Sequence, residues 1–317
     1  HMGFKEGGTV TVLRYTVPPE KDGCRLGLFL RTQGVTAGLI KSVKYDGDGF
    51  FADGRPVRTN EPVHTGQCIH FALPPEQETS VTPQPVPFSV AYEDEFAAVL
   101  DKPAGIAVHP TLNYPDGTLA NGWLRYLQAQ GRTGVFRPIN RIDKNTSGLV
   151  LCAQNAFAAP LLAASAHKCY LAIVQGTLPL GPGRVEAPIA RRGDSIIGRC
   201  VREDGKYSLT EYTVLAVGHS HSLAACCPRT GRTHQIRVHM AYIGHPLAGD
   251  TLYGGSDAVI HRHALHCGIL CFSHPLTGQA LRVESPLPAD MAALAQAEQL
   301  LDGWQLSALP CGAPDET

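Results

Sequence analysis

Apolar and polar residues in the first quarter of the chain follow short, irregular patterns. Loose alternation and a compact apolar run predict strands over residues 10–16 and 68–73. Two short helices are predicted between them, over residues 24–33 and 36–44. Thr36 is placed to cap the second helix, and Asp53-Gly54 indicates a tight turn. Five prolines then interrupt residues 74–87, a composition typical of a linker. We therefore expect a small module over 3–73, followed by a linker.

The rest of the chain mixes strand-like and helix-like patterns without regular alternation. Apolar stretches predict strands over 86–90, 96–102, 150–153, 170–174, 210–217, 222–227 and 265–272. Helices are predicted over 116–130 with Asp116 as the cap, over 156–166, and over 288–301. This order predicts an α+β fold rather than a doubly wound sheet. We expect a large domain over 88–303 and a tail over 304–317.

Composition excludes several classes of protein. Charged residues make up 17% of the 317 residues, and 33 Gly with 24 Pro argue against a coiled coil. No apolar run reaches the ~18 residues that a membrane-spanning helix needs. His1-Met2 resembles a cloning remnant. With no targeting segment apparent in the sequence, a cytoplasmic protein is expected.

Ten cysteines lie mostly within apolar runs, as expected for core residues of a reduced protein. No Cys-x-x-Cys pair occurs. Cys267 and Cys271 are close in sequence to His263 and His266, which leaves a zinc site as an alternative. On that alternative the protein would be a metal-dependent hydrolase.

Charge is distributed unevenly, although the formal net charge is only −1. Residues 137–144 and 229–250 each carry three basic residues and one acidic residue, whereas 184–206 carries six basic and four acidic residues. Residues 284–317 carry six acidic residues and no Lys or Arg. A neutral average therefore does not exclude RNA as a partner, and local basic patches predict modest, salt-sensitive binding.

Three polar segments carry candidate chemistry. Residues 139–148 place Asp143 between Arg141 and Lys144, ahead of a buried strand, and nearby cations favour an ionised carboxylate. Residues 229–239 contain three Arg and two His beside a predicted strand, and residues 101–110 contain Lys102 at a turn. Arginine suits a phosphate or carboxylate partner. The ordinary alternatives are a structural ion pair, a solvated basic turn and a surface lysine.

Together with residues 168–176, 205–212, 230–254 and 262–278, these segments resemble the RluA-type family of RNA pseudouridine synthases. The resemblance covers about residues 88–290 and includes Arg-Ile-Asp-Lys-Asn-Thr-Ser-Gly and Thr-Gly-Arg-Thr-His-Gln-Ile-Arg. It implies a mixed, largely antiparallel sheet with a central active-site cleft. The N-terminal module, through Arg25-Leu-Gly-Leu-Phe-Leu and Gly66, is more loosely similar to S4-type RNA-binding domains.

The resemblance implies conversion of uridine in ribosomal or transfer RNA to pseudouridine, without cofactor or metal. Asp143 corresponds to the essential catalytic group, which would attack C1′ or C6 or act as a base at C2′. Arg237 would pair with Asp143, and Arg141 would support the backbone of a flipped-out nucleotide. Tyr170 and Ile236 would hold the base, and Tyr170 would also be a catalytic residue that assists proton movement at C5.

Further candidate RNA contacts in the matching segments are Lys102, His109, Arg232, Thr233 and His234.

Two departures from the family pattern matter. Asn140 stands where the family usually has His, and the Ala-rich residues 156–166 lack the basic residues often found there. Activity is still expected, because Arg141 and Asp143 are present, but packing or RNA contact there would differ. The remaining alternative is a non-catalytic RNA-binding protein with a degenerate synthase domain. A bacterial source and a monomer are the default expectations.

Overall fold

A computed structural model describes residues 10–76 and 79–310. The helices that it contains are α1 (Leu26–Thr32), α2 (Ala37–Tyr45), α3 (Leu119–Ala129), α4 (Ala158–Ser165), α5 (Gln235–Tyr242) and α6 (Ala289–Ala297). The strands are β1 (Val12–Thr16), β2 (Phe50–Ala52), β3 (Arg55–Val57), β4 (Cys68–Ala72), β5 (Ser89–Glu93), β6 (Ala97–Lys102), β7 (Arg137–Pro138), β8 (Ser147–Ala153), β9 (His167–Gln175), β10 (Gly181–Glu186), β11 (Ile189–Arg191), β12 (Arg199–Val201), β13 (Leu209–Val217), β14 (His221–Pro228), β15 (Leu265–Ser273) and β16 (Ala280–Glu284).

The N-terminal strands form an antiparallel sheet in the order β1-β4-β2-β3, packed against α1 and α2. Thr36 caps α2, as predicted, by accepting a hydrogen bond from the Leu39 amide. Asp53 and Gly54 have φ angles of 50° and 79°, the left-handed conformation that a tight hairpin between β2 and β3 requires. The apolar faces of both helices and the sheet meet in a core that includes fully buried Phe29 and Phe71.

The larger sheet runs in the order β10-β13-β14-β9-β15-β8-β6-β5, with β16 beside β15 and β7 beside β8. Its pairs are antiparallel except for β15 with β8, which are parallel. Strand β8 is buried along its whole length because it is central and covered on both faces. Gly148 has a φ of 107°, and a Cβ there would lie 2.3 Å from the Cys267 carbonyl oxygen. Only glycine fits at this position, where the start of β8 packs closely against β15.

Residues 235–242, for which no element was predicted, form helix α5, which is buried on nearly every side, so its apolar residues do not mark a single face. Two predicted boundaries were wrong. Helix α3 begins at Leu119 with Thr118 as its cap, whereas Asp116 is exposed. The tail does not begin at 304, since Trp304, Leu306 and Leu309 pack against the large domain.

Some expectations fall outside the described residues. Residues 3–9 of the predicted module, 77–78 of the linker and 311–317 of the tail lie there. Within the described ranges, every helix is too short or too polar to span a membrane.

Candidate active site

A cleft of about 710 Å³ opens where the segment before β8 meets β9, the end of β14 and the start of α5. It is lined by nine of the ten predicted site residues: His109, Arg141, Asp143, Tyr170, Arg232, Thr233, His234, Ile236 and Arg237. These residues come from segments up to 128 positions apart, so the fold brings together what the motifs only suggested. Lys102 is the exception and is described below.

Asp143 and Arg237 form an ion pair at the base of the cleft. The Arg237 Nη1 atom donates to Asp143 Oδ2 over 3.0 Å. The Arg237 side chain is 8% exposed and that of Asp143 is 27% exposed. The carboxylate is therefore anchored by a buried cation while part of it remains open to the cleft.

Asp250, which the sequence reasoning did not select, holds the other side of the same guanidinium. Arg237 Nε and Nη2 donate to the two Asp250 oxygens over 2.7 Å and 2.8 Å, and the guanidinium lies 5.0 Å from the centre of the Tyr253 ring. Burial alone would lower the pKa of Arg237, but Asp250, followed by Asp143, raises it above its usual value. The sequence signal for Asp250 and Tyr253 was their place in the family-like stretch 230–254, in its turn-rich part after the arginine segment.

The wall beside the ion pair suits a flat, largely apolar ring. Tyr170 and Ile236 are 8% and 5% exposed, and both line the cleft together with Leu265. Burial raises the pKa of Tyr170 well above its usual value, with nearby Cys267 and Asp143 adding to the shift. The phenol therefore keeps its proton and acts as a hydrogen-bond donor and an apolar surface.

Asn140 fixes the segment that carries Asp143. Its Nδ2 donates to the Leu149 carbonyl over 3.1 Å, and its Oδ1 accepts from the Leu151 amide over 2.7 Å. Asn140 is 5% exposed and bridges the segment to the backbone of β8. The Asn140 side chain provides one donor and one acceptor in a fixed arrangement. These two groups match one carbonyl and one amide of β8, so the residue that departs from the family pattern has both hydrogen bonds satisfied.

The location of Lys102 contradicts the prediction that it contacts RNA. Lys102 is fully buried, does not line the cleft, and its Nζ donates to the Pro103 and Lys144 carbonyls over 3.0 Å each. Burial, followed by the charge of Arg262, lowers the pKa of Lys102 to about 7 against the opposing effect of Asp143. Lys102 thus supports the backbone next to Asp143 from behind the cleft.

Polar residues after Asp143 are bound within the protein rather than exposed as a nucleophile. Thr146 Oγ1 lies 2.8 Å from His263 Nε2, and Ser147 Oγ lies 2.9 Å from His266 Nδ1. Burial, followed by the charge of Arg237, lowers the pKa of His263 to about 4, so its ring is neutral at physiological pH. Among the described residues, no group of three or more His, Cys, Asp or Glu has a metal-binding arrangement.

His234 lies between the Asp143–Arg237 ion pair and Tyr253. Its Nε2 is 3.7 Å from Asp143 Oδ2, and its Nδ1 is 2.7 Å from the Tyr253 hydroxyl. A φ of 58° at His234 is uncommon for a residue with a side chain, and it aims the ring at both partners where α5 begins. Burial lowers the pKa of His234, which Asp143 partly offsets.

The cleft therefore has two regions. We call Asp143, Tyr170, Ile236 and Arg237 the floor, together with buried Asp250, which is bonded to Arg237 but does not line the cleft. We call His109, Arg141, Arg232 and Thr233 the rim, since all four are exposed and line the opening. Arg232 donates through Nε to the Tyr207 carbonyl over 3.0 Å and keeps other donors for a ligand.

The chain is similar to known proteins over most of its length. A family model described as RNA pseudouridylate synthase matches residues 97–242. The chain is 37% identical over 271 residues to the uncharacterized RNA pseudouridine synthase YjbO of Bacillus subtilis, covering 84% of this chain and 96% of that protein. It is 38% identical over 267 residues to the ribosomal large subunit pseudouridine synthase D of Xanthomonas campestris, covering 77% and 80% of the two chains.

Solved structures show the same relationship. The human RNA pseudouridylate synthase domain containing 1 superposes with a TM-score of 0.55 at 25% identity, covering 75% of this chain and all of that one. The cleft lies largely within the matched family region, and the relatives span most of the chain. The protein belongs to the RNA pseudouridine synthases and is an isomerase that acts on uridine in RNA.

Proposed function

We propose that this protein forms pseudouridine in ribosomal RNA of the large subunit, with Asp143 as the catalytic group. The observation that carries the assignment is the partly open Asp143 carboxylate, held over 3.0 Å by buried Arg237. Support for the substrate comes from relatives named ribosomal large subunit pseudouridine synthase D. Such a substrate also implies a cytoplasmic enzyme.

The reaction is an isomerisation, so no atoms are gained or lost overall. The C1′–N1 bond of uridine breaks, the base rotates, a C1′–C5 bond forms, and the hydrogen on C5 leaves while N1 gains one. Asp143 begins this sequence as a nucleophile at C1′ or C6, or as a base that removes the C2′ proton. Each of these first steps requires an ionised carboxylate in a fixed orientation, which Arg237 provides.

Tyr170 and Ile236 provide the base-binding surface in this proposal. A uridine within an RNA helix is covered by its stacking neighbours, so an enzyme that acts on its ring takes it out of the stack. The low exposure of Tyr170 and Ile236 suits a flipped base, which replaces stacking on RNA with stacking on protein. In this proposal the protonated Tyr170 phenol, which lines the cleft, also assists the proton change at C5.

RNA backbone binding is assigned to the rim. Arg141 and Arg232 carry charges at the opening of the cleft, and His109 and Thr233 add hydrogen-bonding groups. The N-terminal sheet and helices are proposed as an S4-like RNA-binding module over 3–73, followed by the linker 74–87. We expect the enzyme to act as a monomer.

The test compares pseudouridine maps of ribosomal and transfer RNA from cells with and without the gene. Wild-type protein should restore one or a few sites in large-subunit RNA, and Asp143→Ala should restore none. Asp302→Ala, at an exposed position outside both the cleft and the N-terminal module, is the matched control and should behave as wild type. Loss of sites only in transfer RNA would contradict the substrate, and restoration by Asp143→Ala would contradict the catalytic role.

A non-catalytic RNA-binding protein is the alternative that this experiment separates. In that case the maps with and without the gene would be identical, although the purified protein still bound RNA.

A further inference from the structure

We propose that Asp250 is a positioning residue for the isomerisation, acting on Asp143 through Arg237. This inference rests on the proposed function and concerns the same site. Asp250 is 2% exposed, so it does not reach substrate itself. Both of its carboxylate oxygens are directed at Arg237, over 2.7 Å and 2.8 Å.

The backbone holds Asp250 in a tight, well-defined turn. Its amide donates to the Leu247 carbonyl over 3.1 Å, and its carbonyl accepts from the Tyr253 and Gly255 amides over 3.0 Å and 2.8 Å. A Cβ at Gly255 would lie 2.0 Å from the Leu247 carbonyl oxygen, and one at Gly249 would lie 2.0 Å from the Arg262 carbonyl oxygen. The turn is therefore compact enough to exclude any larger residue at these two positions.

Two fixed contacts set the plane of the guanidinium. A bidentate carboxylate fixes both the position and the rotation of an arginine side chain, because the two parallel hydrogen bonds are satisfied in only one plane. With Nε and Nη2 bound to Asp250, Nη1 is directed at Asp143 Oδ2 over 3.0 Å. The Tyr253 ring supports one face of the guanidinium at 5.0 Å.

The arrangement also determines which charge reaches the substrate. Two carboxylates share the single positive charge of Arg237. That charge therefore neutralises Asp143 less than it would in a one-to-one pair. Arg237 contacts one oxygen of Asp143 and leaves the other for the nucleotide. Asp250 thus controls both the direction of the catalytic carboxylate and how strongly it is neutralised.

The test uses full-length Asp250→Asn with large-subunit ribosomal RNA from the deletion strain, labelled with tritium at C5 of uridine. Because the C5 hydrogen is released in the reaction, tritium release measures turnover. An amide offers only one acceptor oxygen to the two guanidinium donors, so Arg237 loses its fixed plane. We expect the single-turnover rate constant to fall by about 10²-fold, with Kd for RNA changed less than two-fold.

Asp250→Glu and Asp194→Asn are the companion variants. Asp250→Glu keeps the charge and both acceptors on a longer side chain, and it should recover part of the rate. Asp194→Asn breaks an exposed bidentate pair with Arg192 and should leave the rate unchanged.

A readout that is independent of activity is the nitrogen-15 NMR signal of the Arg237 Nε–H. The Nε–H proton should be protected from solvent exchange in the wild type, and this protection should be lost in Asp250→Asn. Wild-type rates in folded Asp250→Asn would overturn the inference, as would a loss that Asp250→Glu does not relieve. If wild-type protein itself released no tritium, the proposed function would fail instead.

Discussion

The floor and the rim of the cleft use similar residues in opposite ways. On the floor, Arg237 is buried and its guanidinium is bonded to Asp143 and Asp250 within the protein. On the rim, Arg141 and Arg232 are exposed and lie at the opening. Buried charges require fixed partners, whereas exposed charges are free to meet a mobile ligand. Under the proposed function, the buried floor therefore carries the chemistry, and the exposed rim carries the recognition of RNA.

The largest effect is expected when Arg237, the buried cation of the floor, is removed. Arg237→Met leaves Asp250 buried without a partner, and we expect the free energy of unfolding to fall by about 3–5 kcal/mol. Turnover should be lost as well, because Asp143 loses its anchor. Urea unfolding and tritium release measure the two effects.

The double variant Arg237→Met/Asp250→Leu is its control. Replacing both members of a buried ion pair with apolar residues should restore most of the stability but none of the turnover. A single variant as stable as wild type would show that the ion pair does not matter for folding.

A smaller effect on stability is expected when Asn140, which holds the segment carrying Asp143 against β8, is changed. Asn140→Ala leaves the Leu149 carbonyl and the Leu151 amide without their buried partner, which should cost about 2–4 kcal/mol in unfolding free energy. The rate should fall because the segment carrying Asp143 is released from β8. An unfolding free energy equal to that of wild type would mean that water replaces the amide at no cost.

Lys102 gives a pH-dependent prediction. The pKa is about 7 in the folded protein and near its usual 10.5 when unfolded. Below pH 7 both states hold the proton, so the cost of burying the charge is fully present. Between pH 7 and 10.5 the unfolded chain binds more protons, and stability rises with pH, by about 2 kcal/mol between pH 7 and 9.

Lys102→Met should lack this rise, and urea unfolding at pH 7 and 9 measures it. Lys41→Met, at an exposed position on α2, is the control that should keep the wild-type dependence. Equal dependence in wild type and Lys102→Met would contradict the burial of a charged group at this position.

The smallest effect is expected on the rim. Arg141→Ala should weaken RNA binding a few-fold and reduce the slope of log K against log salt by about 0.7–0.9, as loss of one phosphate contact does. The rate at saturating RNA should stay within two-fold of wild type. Binding measured from low to physiological ionic strength tests this, and an unchanged slope would place the phosphate contact elsewhere.

Much of the site was predictable because its residues lie in compact polar motifs. Asp143, Arg237, Tyr170 and Ile236 were selected from the sequence, and all four line the cleft. Asp250 was not selected, because a single acidic residue in a turn resembles any solvated aspartate until its partner is known. Lys102 was selected for the wrong role, since a lysine beside a turn is normally exposed, whereas here it pairs with β8 and its ammonium donates to the Pro103 and Lys144 carbonyls.

The sequence alone determined the class of fold, the position of most strands, and the charged residues available for chemistry. Tertiary structure decided that α5 is a helix, that Trp304 packs onto the large domain, and which cation meets which carboxylate. Local periodicity reports burial only when one face of an element is exposed, and α5 is buried almost all round. The ion pair between Asp143 and Arg237 joins residues 94 positions apart in the chain, a distance over which local sequence patterns carry no information.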